Sequence, residues 1–167
     1  MEQEELVVRF RPIGIVYTDT TDEEIRKHNT KGKESVIEIY TEFQEGLHGL
    51  EGFSHIFVIS HFDRLRPEQI GPLQVRPKGL LRFGFKLEDL PLMGVFALDS
   101  PTRPNAIGLS LVPLKSIDEG RNLVVSGLDL FDKTPVLDIK PYQSIYRADH
   151  YKLPEWHTRL QERVGYV

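Results

Sequence analysis

Residues 100–108, with the sequence SPTRPNAIG, hold the side chains best placed to bind a charged ligand. The two prolines restrict their own backbone and that of the residue before each, so Arg103 and Asn105 stand on a rigid segment. A guanidinium and an amide held in this way can bind a carboxylate or a phosphate at a small ordering cost. The same side chains can instead hydrogen-bond carbonyls of their own loop, and the sequence leaves both interpretations open.

Two histidines are candidates for acid–base chemistry, because an imidazole exchanges a proton near neutral pH. His55 and His61 fall on one face of the predicted strand FSHIFVISHF, residues 53–62. We interpret His55 as a core residue, and we take His61 as a candidate catalytic residue because it lies where the strand enters a loop. The spacing of the histidines and the absence of cysteine predict no metal site.

Basic side chains gather in the loop after this strand. Affinity for nucleic acid comes mainly from Lys and Arg that neutralise phosphates, and a net charge of −4 provides no basic field over the whole molecule. An RNA ligand would therefore have to meet a local patch, and the alternative is an ordinary solvated loop. We predict RNA contacts at Arg66, Arg76 and Lys78, and the same cluster includes Arg64 and Arg82.

Missing motifs exclude several common functional classes. The chain has no GxGxxG after a strand, no GxxxxGK[ST], no HExxH and no GxSxG, so the usual dinucleotide, nucleotide, zinc-protease and hydrolase templates fail. Its 40% hydrophobic and 28% charged residues, without a long apolar run, predict a folded domain that does not cross a membrane. The N-terminus is acidic where a secretory signal would be basic, and we therefore expect a cytoplasmic protein.

Short β-strands separated by turn residues must position these side chains. The patterns predict strands over residues 6–17, 36–40, 53–62, 94–98, 107–114, 122–131 and 136–142. Capping-box spacing at residues 21–24 predicts a short helix, and residues 154–164 predict a terminal helix. Apolar residues at 43, 47 and 50 share a helical face, whereas residues 67–79 are predicted to form a long loop. Because strands dominate and no repeated strand–helix units occur, we expect a β-barrel or a β-sandwich.

Five motifs occur along the chain in a fixed order. They are FRPIG at 10–14, GLEGFSH at 49–55, GVFA at 94–97, RPNAIG at 103–108 and TPVLDIKPY at 134–142. In order and separation they resemble the TsaA-like or TrmO-type family of tRNA methyltransferases. The resemblance covers residues 7–142. It implies a single antiparallel β-barrel with a few short helices. The length predicts one domain over residues 1–167, with the predicted C-terminal helix in the tail 143–167.

The resemblance also implies a cofactor, a substrate and a partner. The cofactor is S-adenosyl-L-methionine, held near the subunit interface of a homodimer, and the substrate is tRNA methylated on N6 of threonylcarbamoyl-adenosine beside the anticodon. Asp99 stands where many members of the family have arginine, so the charge is reversed there and a carboxylate could face the cationic sulfonium or ribose hydroxyls. The implied cofactor contacts are Asp63, Arg64, Asp99, Arg103, Leu109, Asp132, Lys133, Thr134, Pro135 and Val136.

The implied reaction is an in-line displacement, for which the protein mainly aligns the nucleophile with the methyl group and excludes water. The N6 nitrogen of a carbamoyl-adenosine is a weak nucleophile, so a base that removes its proton would help, and His61, Asp63 and Asp138 are candidates. Two alternatives stay open. One is a dimeric barrel that binds the cofactor without transferring its methyl group, and the other is a methyltransferase for a different RNA or a small molecule.

Overall fold

Six antiparallel strands close into a barrel in the computed structural model, which describes residues 7–164. The described strands are β1 (Gly14–Tyr17), β2 (Glu34–Ile39), β3 (His55–His61), β4 (Gln74–Val75), β5 (Met93–Gly94), β6 (Ile107–Asp118), β7 (Asn122–Ser126) and β8 (Pro135–Pro141). The barrel order is β1-β2-β7-β6-β3-β8, and β4 pairs with β5 in a separate two-stranded sheet. The predicted single antiparallel barrel is confirmed.

Short helical elements surround the barrel. Helix α1 (Asp22–Arg26) begins at the predicted capping box, in which the Thr21 hydroxyl accepts from the Glu24 N–H at 3.3 Å and the Glu24 carboxylate accepts from the Thr21 N–H at 3.0 Å. Helix α2 (Glu155–Val164) confirms the predicted terminal helix. Single 3-10 turns or short 3-10 helices cover Thr41–Leu47, Pro67–Gln69, Lys78–Phe83, Leu87–Asp89, Val95–Ala97 and Ser144–Tyr146.

Alternate residues of each strand fill the barrel interior, as a two-residue period requires. On β3, Ile56, Val58 and Ser60 are fully buried. His55 lies on the outward face, half-buried beside the ring of Tyr142 at a centroid distance of 6.4 Å, so its interpretation as a core residue is wrong. The buried core consists of Val16, Ile37, Ile39, Leu47, Leu50, Ile56, Val58, Val112, Leu123, Val125, Leu128, Leu130 and Val136.

Because neighbouring barrel strands are antiparallel, the connections gather at the two ends of the barrel. The connections 18–33, 62–106 and 127–134 lie at one end, which we call the loop-rich end. The connections 40–54 and 119–121 lie at the other, which we call the opposite end. Most of the side chains that the sequence nominated for chemistry therefore reach the loop-rich end, although they are scattered along the chain.

The first strand is shorter than predicted. Residues 7–13 belong to no strand, β1 begins only at Gly14, and Leu6 lies outside the described residues. Pro12 has no N–H to donate to a neighbouring strand, so the regular ladder begins beyond it.

The strand predicted over residues 94–98 is wrong. Only its first residue pairs, in β5, and the chain then makes a 3-10 turn. The carbonyls of Val95 and Leu98 accept hydrogen bonds from Arg103 at 2.8 and 2.9 Å. Arg103 therefore stabilises the 3-10 turn in place of an extended strand.

Three other segments refine the predictions. The strand predicted over residues 122–131 ends at Ser126, because Gly127 adopts a φ of +77° and turns the chain. The predicted loop 67–79 contains the 3-10 turn Pro67–Gln69 and β4, and the next 3-10 helix begins at Lys78. The shared face at 43, 47 and 50 lies on and just after a 3-10 helix and packs against the core, as predicted.

Candidate functional site

Arg64, Asp22 and Asp132 meet at the loop-rich end, although they belong to three different connections. The Nη1 atom of Arg64 donates to the two carboxylate oxygens of Asp22 at 3.2 and 3.1 Å, and its Nη2 donates to the carbonyl of Asp132 at 2.5 Å. The Asp132 carboxylate accepts from the Thr18 N–H at 3.1 Å. The structure therefore brings together Arg64 and Asp132, two of the residues that the sequence nominated.

Aromatic rings contact the cations around residues 131–133. The guanidinium groups of Arg26 and Arg64 lie 5.2 and 5.0 Å from the centroid of Phe131. The Lys133 ammonium lies 3.4 Å from the centroid of Tyr17. Contacts of this kind stabilise exposed sites by about 0.5–1 kcal/mol each. Residues 131–133 are thus held from several directions, and we call them the Asp132 turn.

The residues that follow the Asp132 turn are mostly buried. Thr134 is 2% exposed and Val136 is fully buried in the barrel core, while Pro135 is half-buried. The carbonyl of Thr134 accepts from the Val16 N–H at 3.0 Å. The side chains of Thr134 and Val136 therefore fix the start of β8 and hold the Asp132 turn in place.

An open pocket of about 320 Å³ is lined by residues of β6 and of the connections 18–33 and 127–134, and we call it the Leu109 pocket. Its volume falls within the range of about 300–1,000 Å³ that is usual for small-molecule sites. Leu109 is a predicted cofactor contact and is largely exposed here. The lining consists of His28, Thr30, Leu109, Ser110, Leu111, Val112, Gly127 and Asp129.

Asp129 connects the polar groups of the Leu109 pocket. Its Oδ1 accepts a hydrogen bond from Ser110 Oγ at 3.3 Å, and its Oδ2 lies 3.7 Å from Nδ1 of His28. His28 has a φ of +53°, which few residues other than glycine adopt and which often marks functional sites. The sequence analysis missed these three residues, because they are far apart in the chain and belong to no motif.

Hydrogen bonds hold the loop after α1 that carries His28. Lys33 pairs with Glu24, and hydrogen bonds from Lys33 and from the helix cap lower the pKa of Glu24 from 4.5 to about 2. Thr30 Oγ1 donates to the carbonyl of Gly127 at 3.2 Å, and the Gly127 N–H donates to the carbonyl of Lys33 at 2.8 Å. The loop is thus tied to the segment after β7.

Arg103 closes its own loop. Its Nη2 atom makes both hydrogen bonds to the carbonyls of Val95 and Leu98, which favours the interpretation that Arg103 ties down the backbone. Asp63 and Asp99 are exposed. None of Asp63, Asp99 and Arg103 lines the Leu109 pocket.

His61 and Asp138 lie on the outer face of neighbouring strands. The His61 Nδ1 atom is 3.2 Å from the carbonyl of Ala106. A register shift in the pairing of β3 with β8 places Asp138 opposite Ile59, two residues from His61. Asp138 forms an ion pair with Lys140 at 2.8 Å, and this hydrogen-bonded carboxylate raises the pKa of Lys140.

The predicted RNA contacts differ in how their cations are used within the fold. Arg66 pairs with Glu68 at 3.1 Å. Arg76 is half-buried and donates to the carbonyl of Leu90, so it holds the excursion between β4 and β5 together. Lys78 is exposed.

A larger pocket, of about 700 Å³, lies at the opposite end. None of the residues nominated from the sequence is in its lining. Its polar contacts are local, since Glu51 accepts from the N–H of Gly49, two residues away, at 3.2 Å. We call it the His48 pocket, and its lining consists of Thr41, Gln44, Glu45, Leu47, His48, Glu51 and Gly120.

Within residues 7–164, no group of three or more His, Asp or Glu side chains is arranged to hold a metal ion. In the same described part of the chain, every helix is too short or too polar to cross a membrane.

Comparison with known proteins points to a single family. The family described as "tRNA-methyltransferase O N-terminal domain" matches residues 13–149. The chain is 36% identical over 165 residues to a probable S-adenosyl-L-methionine-binding protein of Pyrococcus abyssi, covering 97% of this chain and 77% of that protein. It is 37% identical over 127 residues to a tRNA (adenine(37)-N6)-methyltransferase of Mus musculus, covering 69% of this chain but 26% of the mouse enzyme.

Solved structures share the fold. A crystal structure of TrmO from Pseudomonas aeruginosa aligns with a TM-score of 0.63 and 28% identity, over 87% of this chain and 62% of that chain. Another TrmO crystal structure aligns with a TM-score of 0.66 and 30% identity, over 88% of this chain and 64% of that chain. The chain thus spans less than two thirds of these solved chains. Since the family match extends over most of the barrel and its loop-rich end, the protein belongs to the tRNA-methyltransferase O N-terminal domain family.

Proposed function

We propose that this protein is an S-adenosyl-L-methionine-dependent methyltransferase that acts on N6 of an adenine in tRNA. The observation that carries the proposal is the family match over residues 13–149, which includes both the Asp132 turn and the Leu109 pocket. The mouse relative is named for methylation of adenine 37 of tRNA. We further propose that the adenine bears a threonylcarbamoyl group, and that the protein works in the cytoplasm.

The Leu109 pocket suits the cofactor chemically. The cofactor supplies a methyl group on a cationic sulfur, attached to an adenosine. Leu109 offers an exposed apolar surface on which a purine can pack, and the Asp129 carboxylate can accept hydrogen bonds from hydroxyl or ammonium groups. We propose cofactor contacts from Leu109, the Asp132 turn and Arg64, with Pro135 behind them. We place Asp63, Asp99 and Arg103 at the rim, where Arg103 acts by shaping the loop.

The protein's own part in the reaction is alignment, exclusion of water and removal of the N6 proton. His61 and Asp138, the candidates from the sequence, lie near each other on the barrel surface. The contact between His61 Nδ1 and the Ala106 carbonyl orients that ring, so Nε2 is the nitrogen that can meet a substrate. Asp138 is a weaker candidate, because Lys140 already occupies its Oδ2 atom in an ion pair at 2.8 Å.

We propose that two copies of the chain associate through the outer face of β3 and β6. Leu111 is 47% exposed there, and it pairs with Phe57 on the neighbouring strand. Exposed apolar surface of this kind often marks an interface. Leu111→Glu is expected to convert a dimer to a monomer in sedimentation experiments, because a buried carboxylate without a partner is unfavourable. A wild-type monomer at the same concentration would reject the homodimer.

Transfer of a labelled methyl group to two tRNA preparations tests the function. One preparation carries threonylcarbamoyl-adenosine at position 37, and the other is the same tRNA without that group. We expect label only in the first, located on N6 by nucleoside mass spectrometry. Label in the second at equal rate would reject the threonylcarbamoyl requirement but keep the methyltransferase, and no label in either would reject the methyltransferase.

The second candidate is a module that binds S-adenosyl-L-methionine without transferring its methyl group. Archaeal relatives favour it, since proteins of Pyrococcus abyssi and Methanothermobacter thermautotrophicus are named only as probable S-adenosyl-L-methionine-binding proteins. Calorimetry separates the two candidates when it is combined with the transfer assay. A module binds the cofactor in the calorimeter but transfers no label to either tRNA.

A further inference from the structure

We propose that His28, oriented by Asp129, accepts the N6 proton of the adenine during methyl transfer. This inference rests on the proposed methyltransferase function and assigns the proton acceptor within the Leu109 pocket. His28 and Asp129 come from different connections of the barrel and meet at its loop-rich end.

The geometry of the pair suits a proton acceptor. Nδ1 of His28 faces Oδ2 of Asp129 at 3.7 Å, and Oδ1 of the same carboxylate accepts from Ser110 Oγ at 3.3 Å. A carboxylate beside Nδ1 favours the tautomer with hydrogen on Nδ1, which leaves a lone pair on Nε2. It also stabilises the imidazolium that forms when Nε2 takes a proton. Hydrogen bonds of catalytic groups are often long in the absence of substrate, so 3.7 Å is compatible with this role.

The surroundings of His28 distinguish it from the two candidates found in the sequence. His28 lines the Leu109 pocket, whereas His61 and Asp138 do not. His61 has a neutral carbonyl beside Nδ1, which stabilises an imidazolium less than a carboxylate does. Asp138 is paired with a lysine. His28 therefore differs from His61 in two ways: it lines the pocket, and a carboxylate rather than a carbonyl lies beside its Nδ1 atom.

The proposed step balances in atoms and charge. The N6 nitrogen forms a bond to the methyl carbon while the carbon–sulfur bond breaks and leaves its electron pair on sulfur. The N6–H bond breaks with its electrons remaining on nitrogen, and the proton passes to Nε2 of His28. The positive charge moves from sulfur to the imidazolium. It is lost from the protein when the imidazolium releases its proton to water.

The backbone of His28 determines which variants are informative. At a φ of +53° most side chains are strained, but asparagine and glycine tolerate this conformation. His28→Asn and His28→Gly therefore remove the imidazole without distorting the loop. His48→Asn is the matched control, because His48 is also exposed and lines the pocket at the opposite end.

Single-turnover methyl transfer to tRNA is the first measurement, with affinity for S-adenosylhomocysteine measured by calorimetry in parallel. We expect His28→Asn to slow transfer by about 10²–10⁴-fold, the usual contribution of a general base, while affinity changes less than about twofold. His48→Asn should match the wild type. Added imidazole should restore part of the rate in His28→Gly and none in His61→Gly.

Three results would overturn the role of His28: a wild-type rate in His28→Asn, a loss of affinity as large as the loss of rate, or rescue by imidazole in His61→Gly instead. If the wild-type protein itself transfers no methyl group, the proposed function fails, which is a different result from an active His28→Asn variant.

Nitrogen NMR of the imidazole gives a readout that needs no turnover. At a pH where the ring is neutral, His28 is expected to be protonated on Nδ1 in the wild type. Asp129→Asn should shift the ring toward a mixture of tautomers. A wild-type ring protonated on Nε2 contradicts the proposal, because that nitrogen could not then accept a proton.

Discussion

The two ends of the barrel both carry an open pocket with a histidine and a carboxylate, but their polar groups are held differently. At the loop-rich end, Thr18 bonds to Asp132 across 114 residues and Thr30 bonds to Gly127 across 97. In the His48 pocket, the Glu51 carboxylate bonds only two residues away. The His48 pocket nevertheless has the larger volume. Pocket volume therefore favours the opposite end as the functional site, whereas hydrogen bonds between distant segments favour the loop-rich end.

Hydrogen bonding between distant segments is a better guide to function than pocket volume. A ligand site needs side chains whose conformations are fixed by partners, because each freely rotating group must be ordered when the ligand binds. The loop-rich end meets this requirement through bonds between separate connections. The His48 pocket is a space between a 3-10 helix and a hairpin turn, and the hydrogen bond of its Glu51 carboxylate comes from Gly49, two residues away.

The largest expected effect is on the packing beneath the loop-rich end. A Cβ added at Gly108 would lie 2.6 Å from Ser60 Oγ and 2.7 Å from the Phe62 ring. Gly108→Ala should therefore lower the free energy of unfolding by about 1–3 kcal/mol in urea denaturation, as overpacked cores do. Combining it with Ser60→Ala should recover part of the loss, because that change removes the nearest atom.

Gly46→Ala is the matched control at the opposite end, since no atom lies within 4 Å of the added Cβ and the backbone is not left-handed. Its stability should equal or slightly exceed that of the wild type. Equal destabilisation by both substitutions would contradict the difference in packing between the two ends.

The next effect concerns the cofactor. Arg64→Ala removes the bonds from this guanidinium to Asp22 and to the Asp132 carbonyl. Because the Asp132 turn then loses one of its supports and the proposed site loses a guanidinium contact, affinity for S-adenosylhomocysteine should fall about tenfold or more in calorimetry, which is at least about 1.4 kcal/mol. Arg121→Ala removes a comparable pairing with Glu38 away from the loop-rich end and should leave affinity unchanged. Similar losses in both variants would place the cofactor elsewhere.

The smallest effect is electrostatic and depends on pH. The pKa of Glu24 is lowered to about 2 in the folded protein, mainly by the hydrogen bond from Lys33, so the ionised carboxylate stabilises the folded state. This contribution is fully present above pH 4.5 and is lost as the pH falls from 4.5 to about 2. The Tm of Glu24→Gln should therefore lie slightly below that of the wild type at neutral pH and meet it near pH 2.

Glu88→Gln, at an exposed position outside α1, provides the reference for this comparison. It should show no such pH-dependent difference. A constant difference between Glu24→Gln and the wild type from pH 7 to about 2 would mean that packing, rather than the ion pair, holds the loop.

Local patterns were reliable where one segment is enough to specify the structure. The capping box at Thr21 predicted the start of α1, the apolar segment at residues 53–62 predicted β3, and the segment at residues 107–114 predicted the start of β6. The prediction failed at residues 94–98, whose β-forming composition is overridden by Arg103 from the following loop. Local propensity cannot include such a partner.

The candidate site was predictable only in part. Arg64, Leu109 and Asp132 came from the family resemblance, and the structure places them at the loop-rich end. Arg76 was nominated for RNA from its charge alone, yet its guanidinium is used within the fold. A charge pattern shows which residues are cationic, but it does not show which carbonyls their side chains hydrogen-bond.

The sequence by itself determined the family, because ordered motifs are properties of short segments. The family resemblance then implied the antiparallel barrel, which strand periodicity alone did not separate from a sandwich. Only the tertiary structure decided that His28 faces Asp129 and that Arg64 joins two other connections. These contacts arise from the closure of the barrel, which brings residues distant in sequence to one end. Their distances depend on strand order and register, and no local pattern encodes either quantity.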